Sequence, residues 1–248
     1  MNLAWGIGAG LPVWGWLVLV LCALLVGFAK TAIGGVAMIS VVLAAMVLPT
    51  KDSTGVLLVL LLVGDLVAVW VYRKNVDWRL IGRLVIPVLV GIGLGAVFLN
   101  WVEGPILKRT IGAILLVLLL IGLWPDKLAA SRPVVGMGYG WLAGFTTMVA
   151  NAGGPPMNLY LLAAKYDKWR FLGTTAWFFF AVNLAKLPVS IGIGIVRPET
   201  ALLAAWLAPV VLLGTWLGRV TIARIDQATF DRLITIFVAV SAIYLVIG

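Results

Sequence analysis

The chain has 248 residues, of which 63% are hydrophobic and 11% charged, and its mean hydropathy is +1.16. Soluble domains carry roughly 25% charged residues, so this chain has too few charges to cover a water-exposed surface. The net charge of +9 does not indicate nucleic-acid binding, because the Lys and Arg residues lie mostly in short loops between apolar runs. The composition therefore predicts an all-α integral membrane protein with lipid as its surroundings.

The side chains that usually carry catalysis or bind metal are scarce. Histidine is absent, and Cys22 is the one cysteine, inside an apolar run. The commonest general base and metal ligand is therefore missing, and no disulfide can form within the chain. We expect no cofactor and no enzymatic activity, since a membrane enzyme would need paired acids or a metal cluster.

Eight apolar runs define the segments in chain order. Most have the length of one membrane-spanning helix, about 18–25 residues. They are 12–48, 54–71, 80–99, 106–124, 134–164, 171–196, 199–219 and 229–247.

Two of these runs are broken by glycine and proline. The run 12–48 would form a helix of about 55 Å, too long for a hydrocarbon core of about 30 Å. It is interrupted at 30–35 (KTAIGG), and the run 134–164 is interrupted at 151–156 (NAGGPP). Because Gly pairs and Pro break helices, we expect each run to form two shorter pieces, broken or re-entrant.

Loop charge favours hairpins at both breaks. If each broken run crossed the membrane once, Lys and Arg would divide seven against nine between the two sides, with no bias. If each run turns back, twelve fall on one side, which the positive-inside rule makes cytoplasmic, and both termini lie outside. The twelve are Arg73, Lys74, Arg79, Arg83, Lys127, Arg132, Lys165, Lys168, Arg170, Arg219, Arg224 and Arg232, against Lys51, Lys108, Arg109 and Arg197.

The two halves of the sequence repeat each other's features in the same order. Gly-Phe precedes each break, and the Gly-Gly pair within each break begins a Gly-Gly-x-x-Met pattern. Each half then has a Pro before a G-x-x-x-G pair, at 91–95 and 214–218. We predict two inverted repeats of about five segments each, 1–130 and 131–248, forming one transport unit. The G-x-x-x-G pairs are expected to serve close helix packing and are given no role in transport.

Three segments carry a resemblance to a known family. Segment 27–35 (GFAKTAIGG) resembles the first glycine-rich motif of the TauE/SafE family of sulfite exporters. Segment 151–156 with 159–162 (LYLL), and segment 177–188 (WFFFAVNLAKLP), resemble later motifs of that family. The resemblance covers nearly the whole chain. It implies movement of small sulfur oxyanions or organosulfonates across a bacterial cytoplasmic (inner) membrane.

Lys30 is the sharpest candidate for a transport role. A charge at membrane depth costs at least about 2.5 kcal/mol on insertion scales, so a lysine at this position is expected to have a functional or structural role. Its ammonium group either meets an anionic substrate, or it caps a helix C-terminus or extends to the membrane interface. Helix pieces that begin after each glycine pair would add unsatisfied N–H groups toward the midplane, where the two breaks are expected to meet.

Asn183 and Lys186 lie one turn apart in the middle of a span and so share a helix face. Asp65 occupies the corresponding place in the first half. Asp65 and Lys186 could pair, or Lys186 could line the anion path while Asp65 takes up protons as the coupling group. A purely structural ion pair is the third alternative. The predicted substrate-binding residues are Lys30, Thr31, Gly34, Gly35, Asn151, Gly153, Gly154, Asn183 and Lys186, with Thr146 or Thr147 as further donors.

These residues predict a secondary transporter that moves a small sulfur-containing anion by alternating access. An anion channel on the same scaffold and a carrier of another small organic anion stay open as alternatives. Nothing resembles a Walker A sequence, so ATP drive is not expected. The expected partners are a small anion, membrane lipid and, for uptake, a proton. The oligomeric state is left open, a homodimer included.

Overall fold

The computed structural model describes residues 10–98 and 133–247, and every regular element in these ranges is helical. The predicted segment 106–124 and four of the loop charges lie outside the described residues. These four are Lys108, Arg109, Lys127 and Arg132.

Five of the described helices are long and apolar enough to cross a membrane, which confirms the prediction of a multi-pass, all-α membrane protein. The helices are α1 (Val13–Thr31), α2 (Ala37–Val47), α3 (Thr50–Tyr72), α4 (Trp78–Phe98), α5 (Pro133–Ala150), α6 (Gly154–Ala163), α7 (Lys168–Gly192), α8 (Pro198–Ala223) and α9 (Gln227–Ile247). The five long apolar helices are α1, α3, α4, α7 and α8.

The first broken run folds back on itself. A short 3-10 turn, Gly34–Val36, separates α1 from α2. The Ser40 hydroxyl donates to the Cys22 carbonyl at 3.2 Å, and Val47 packs at Gly15. Residues later in α2 therefore contact residues earlier in α1, so the two helices form an antiparallel hairpin. α2 has 11 residues, about 16 Å, and is too short to cross the membrane alone.

The second broken run forms a similar hairpin. α5 ends at Ala150, and α6 has 10 residues, about 15 Å in length. The rings of Tyr139 and Tyr160 lie 5.7 Å apart, and the Tyr160 hydroxyl also approaches Gly136. Both breaks are therefore where the sequence predicted them, and at both the chain turns back.

Only the second helix piece begins earlier than the sequence predicted. α2 begins at Ala37, after the glycine pair as predicted, and a 3-10 turn occupies Gly34–Val36 before it. α6 begins at Gly154 with Gly153 as its N-cap, so Gly154 belongs to the first helical turn. At the second break this is possible because Pro155 and Pro156 fit a first helical turn, where their missing N–H groups are not needed.

The chain divides into two compact units that cut across the two halves of the sequence. Unit 1 comprises residues 1–73 and 179–225, and unit 2 comprises residues 74–178 and 226–248. Each unit thus takes segments from both predicted repeats. The repeat boundaries at 130 and 131 stay a prediction.

In unit 1, α1 packs closely on α8 through glycine. A Cβ atom at Gly27 would overlap the carbonyl oxygen of Val211, and one at Gly214 would overlap the carbonyl oxygen of Leu24. Gly218 likewise faces the backbone of Phe28. The backbones of the two helices are in contact here, which is possible only without side chains at these positions.

In unit 2, α5 packs on α4 with the corresponding set of contacts. A Cβ atom at Gly144 would overlap the Val88 carbonyl oxygen, and one at Gly91 would overlap the Trp141 carbonyl oxygen. Gly95 faces the carbonyl of Phe145, the counterpart of Phe28. The packing role predicted for both G-x-x-x-G pairs is confirmed. The sequence duplication recurs as duplicated packing, while the inverted orientation of the repeats stays a prediction.

Candidate functional site

Lys30 lies in the last turn of α1, where it is 10% exposed. Its Nζ atom is 2.6 Å from Oδ1 of Asp65 on α3, and 5.2 Å from the ring centroid of Phe179 on α7. The side chain therefore does not extend to the membrane interface, which was one of the two structural alternatives. Its position at a helix C-terminus is also favourable for a cation.

Asp65 is fully buried, with a relative exposure of 0%. Its Oδ2 atom accepts a hydrogen bond from Nδ2 of Asn183 at 2.7 Å. The residue before it, Gly64, gives the Lys30 side chain room, because a Cβ atom there would lie 2.9 Å from the Lys30 Cγ atom. Sequence reasoning missed Gly64, although a glycine directly before a buried acid in an apolar helix was visible as a signal.

Lys186 is buried on the same helix as Asn183, with an exposure of 1%. It interacts electrostatically with Asp65, which attracts it, and with Lys30, which repels it. The structure therefore brings together four predicted residues from α1, α3 and α7. The direct ion pair of Asp65 is with Lys30, whereas the sequence analysis had considered Lys186 for that place. We call this set the charged cluster: Lys30, Asp65, Asn183 and Lys186.

The charged cluster has a formal charge of +1 when all its ionisable groups are charged. Two ammonium groups face one carboxylate, and Asp65 is the one acidic side chain among the buried residues of the described ranges. All four residues belong to unit 1.

Thr31 follows Lys30 in the sequence, and its polar groups bond to neighbouring helices. Its hydroxyl donates to the carbonyl of Thr215 on α8 at 2.7 Å, and its own carbonyl accepts from the Tyr72 hydroxyl at 2.5 Å. The Thr31 hydroxyl was predicted to donate to the substrate anion. Here it donates to a carbonyl of α8 and so helps to hold α1 to α8. Its contribution to substrate binding stays a prediction.

The first break supplies backbone donors next to Lys30. Ile33 is extended, with φ −124° and ψ 99°, and the chain enters the 3-10 turn at Gly34. The first N–H groups of a helical turn have no partner within that turn. Gly34 and Gly35 therefore bring such groups to within a few residues of Lys30. Gly35 is buried and Gly34 partly exposed.

The second break lies in unit 2, with Asn151, Gly153 and Gly154. Asn151 has φ 52°, a left-handed conformation that Asn tolerates better than most residues, so its presence has a backbone reason. A Cβ atom at Gly153 would lie 2.8 Å from Cβ of Thr147, so this glycine is needed for packing on α5. That these residues share one site with the first break stays a prediction.

Two prolines limit the number of backbone donors at the second break. Pro155 and Pro156 occupy the first turn of α6 and carry no N–H group. The Thr146 hydroxyl lies 2.8 Å from the Leu142 carbonyl oxygen and 3.0 Å from that of Ala152, so it closes the turn. The predicted role of this break in binding an anion stays a prediction.

Asn158, on α6, is a polar residue that the sequence analysis missed. It is 1% exposed, and its Nδ2 atom has no hydrogen-bond partner among the residues that the structure describes. A buried amide without a partner costs about 1–3 kcal/mol. The available signal was a single Asn in the otherwise apolar stretch that follows the two prolines.

Two ion pairs at helix ends have a structural role. In unit 2, Arg170 contacts Oδ2 of Asp77 at 2.7 Å, and the Tyr166 hydroxyl donates to the same atom at 2.6 Å. Burial raises the pKa of Asp77, but hydrogen bonds from Tyr166, the Leu80 N–H and Arg170 outweigh this and lower it overall. In unit 1, Arg197 pairs with Asp52.

The fold is that of a multi-pass membrane protein, and the charged cluster lies within its unit 1. The model of the family described as Sulfite exporter TauE/SafE matches residues 19–245. The chain therefore belongs to the TauE/SafE family, a family of membrane transporters. The match includes both glycine breaks and all four residues of the charged cluster. The comparisons with curated proteins and with solved structures gave no match.

Proposed function

We propose that this protein is a secondary transporter for a small sulfur-containing anion, such as sulfite, thiosulfate or an organosulfonate like sulfoacetate, in a bacterial inner membrane. The observation that carries the proposal is the charged cluster, in which the partly buried Lys30 pairs with the buried Asp65 and the buried Lys186 lies on α7 one turn from Asn183. Family membership indicates the sulfur-anion class.

The chemistry of the cluster suits reversible anion binding. Asp65 pairs with the Lys30 ammonium group and neutralises its charge. An anion that binds between Lys30 and Lys186 would share both cations with Asp65. Charge-assisted contacts of this kind are roughly twice as strong as neutral hydrogen bonds. Because Asp65 competes with the substrate for Lys30, binding stays weak enough for release.

The backbone at the first break completes the proposed site. The N–H groups of Gly34 and Gly35 have no partner within their turn, and such groups bind oxyanions without adding charge. Asn183 orients Asp65 through its hydrogen bond and thereby fixes which carboxylate oxygen faces Lys30. Transport would follow by alternating access, with one repeat moving relative to the other.

The driving force depends on direction. The membrane potential contributes about 2.3 kcal/mol per charge per 100 mV to an anion that leaves a negative cytoplasm. Export could therefore proceed without a coupled ion. Uptake would need one, and Asp65 is the acidic group placed to accept a proton beside the substrate.

A flux assay in proteoliposomes tests the proposal. The purified protein is reconstituted, and uptake of sulfite, thiosulfate, sulfoacetate and sulfate is followed against protein-free vesicles. We expect saturable flux of at least one of these anions, stimulated by the same anion on the far side. The absence of flux for all four would reject the function. Large single-channel currents would reject the carrier mechanism in favour of a channel.

A further inference from the structure

Asn158 lies in the middle of α6 and carries a buried hydrogen-bond donor. Its side chain is 1% exposed, and its Nδ2 atom has no partner among the residues that the structure describes. Buried polar groups in folded proteins are almost always paired, because an unpaired donor destabilises the fold. A donor kept in this state is better explained by binding to a ligand than by a contribution to packing.

The N-terminus of the same helix lies at the second break. α6 has 10 residues, with Gly153 as its N-cap and no side-chain capping bond. The first N–H groups of a helix have no partner within it and lie at the positive end of its dipole. Because Pro155 and Pro156 have no N–H group, Gly154 contributes the single N–H of the first three helical positions.

Helix geometry places Asn158 beside this backbone donor. Residues four apart lie on one face of a helix, with about 5–6 Å between their Cβ positions, and side chains lean toward the N-terminus. Asn158 is four residues after Gly154, so its amide leans toward the first turn on the Gly154 side. Gly154 is partly exposed, and Asn158 lies buried one turn farther along that face.

We propose that the Gly154 N–H and the Asn158 Nδ2 atom form a second, uncharged binding site for a small sulfur oxyanion or sulfonate group. The side-chain amide supplies a donor where the two prolines remove backbone donors. N–H groups at a helix N-terminus bind oxyanions without adding a formal charge. This inference rests on the proposed function and adds to it a site within unit 2, formed by none of the residues of the charged cluster.

Anion-dependent thermal unfolding of the purified full-length protein in detergent tests this site. The melting temperature is measured against the concentration of sulfite, thiosulfate, sulfoacetate and sulfate, each at constant ionic strength. A ligand that binds only the folded state raises its stability, so we expect saturable stabilisation of the wild-type protein by at least one of these anions. If none of the four stabilises it, the inference is wrong.

The variant Asn158→Leu removes the amide and keeps the branched shape of the side chain. Without anion, we expect a melting temperature at or above that of the wild type, because a buried donor without a partner is removed. The anion concentration for half-maximal stabilisation should rise by at least about tenfold, as for the loss of a hydrogen bond to a charged group. A wild-type response to the anion, at any melting temperature, overturns the inference.

The variant Asn158→Asp keeps the test decisive if Asn158→Leu does not fold. It has the size of the native side chain and an oxygen in place of the donor Nδ2. We expect it to lose the anion response as well, because a carboxylate cannot donate to an oxyanion and repels it. An anion response equal to that of the wild type would contradict the site.

Thr174→Val is the matched control in the same unit. Thr174 is 0% exposed, and its hydroxyl oxygen accepts a hydrogen bond from the Asp77 N–H at 3.1 Å. Val has the same shape, so this variant should lower the melting temperature and leave the anion response as in the wild type. If Thr174→Val weakens the anion response as much as Asn158→Leu, the effect is not specific to Asn158 and the inference fails.

The two proposals can fail separately. A wild-type protein that carries none of the four anions in proteoliposomes contradicts the proposed function. A wild-type protein that carries and binds an anion, together with Asn158 variants that bind it equally well, contradicts only the second site.

Discussion

Lys30 and Lys186 are both removed from solvent, yet they differ in what holds them. The Nζ atom of Lys30 lies 2.6 Å from a carboxylate oxygen of Asp65 and also contacts the ring of Phe179, so its charge is compensated within the protein. Lys186 lies deeper, at 1% exposure, and is attracted by Asp65 while repelled by Lys30. Two cations around one carboxylate are unfavourable in themselves, and this is the physical reason to expect an anion there.

Replacement of Lys186 by Met tests whether the charge of this one residue is needed to bind the anion. Met has a similar length and no charge, so it should fill the same space. We expect anion flux to fall by roughly ten- to hundredfold, the range for the loss of one charged contact. Flux should be normalised to the amount of protein in the vesicles.

Lys74→Met is the control for Lys186→Met, because Lys74 is an exposed loop lysine with no predicted site role. It should transport at the wild-type rate. If Lys186→Met retains full flux at normal abundance, Lys186 does not line the anion path.

Removal of Lys30 should affect stability as well as transport. Lys30→Met leaves Asp65 buried without its direct partner, and breaking a buried ion pair from one side costs about 3–5 kcal/mol. Lys30→Met combined with Asp65→Asn removes both charges and should recover much of that loss. Thermal unfolding in detergent measures both variants.

The exposed ion pair in the same unit provides a comparison. Arg197→Gln breaks the contact with Asp52, where Arg197 is 47% exposed, and should cost no more than about 1 kcal/mol. Equal losses for Arg197→Gln and Lys30→Met would show that burial does not set the strength of the Lys30 pair.

At the level of helices, the glycine contacts explain why each broken helix has a fixed neighbour. α1 meets α8 and α5 meets α4 with backbone against backbone, at corresponding positions in the two units. Without a hydrophobic driving force between helices in lipid, close packing of this kind supplies much of the association energy. The breaks are thereby held on helices with little freedom to shift.

Two glycines on α4 test this packing under otherwise equal conditions. A Cβ atom at Gly91 would overlap the Trp141 carbonyl, whereas one at Gly93 meets nothing within 4 Å among the residues that the structure describes. Gly91→Ala should destabilise the protein by about 1–3 kcal/mol, the usual cost of overpacking. Gly93→Ala should be neutral or stabilise it by up to about 1 kcal/mol, because Ala favours helix. Thermal unfolding measures the stability of both variants. Equal changes in stability would contradict the packing role of Gly91.

At the level of the whole molecule, loop charge predicts the orientation in the membrane. Lys51 lies in the first turn of α3, and Lys165 lies in the loop that precedes α7; these are the long helices of the two predicted repeats. If the repeats are inverted, these two lysines face opposite sides of the membrane, with Lys51 outside and Lys165 in the cytoplasm.

Cysteine labelling in intact cells measures this orientation. Lys51→Cys should react with a membrane-impermeant maleimide, and Lys165→Cys should react only after the cells are permeabilised. The native Cys22 is buried and gives a low background. Labelling of both positions from the same side would contradict the inverted repeat.

Several features of the protein could be predicted from the sequence because they depend on local chemistry. Hydropathy fixes the membrane class, since only lipid accommodates so few charges. Gly and Pro fix the positions of the two breaks, and G-x-x-x-G fixes which helix faces can approach closely. Family membership also followed from local motifs, and the family match over residues 19–245 confirms it.

Only the tertiary structure decided which charged groups are partners. Asp65 pairs directly with Lys30 rather than Lys186 because Gly64 leaves room for the Lys30 side chain and because α1 packs beside α3. Thr31 was predicted to bind substrate, but its hydroxyl donates to a carbonyl on α8, whose distance is set by Gly214 and Gly218. Such pairings join residues far apart in sequence, and helix packing rather than local preference determines them.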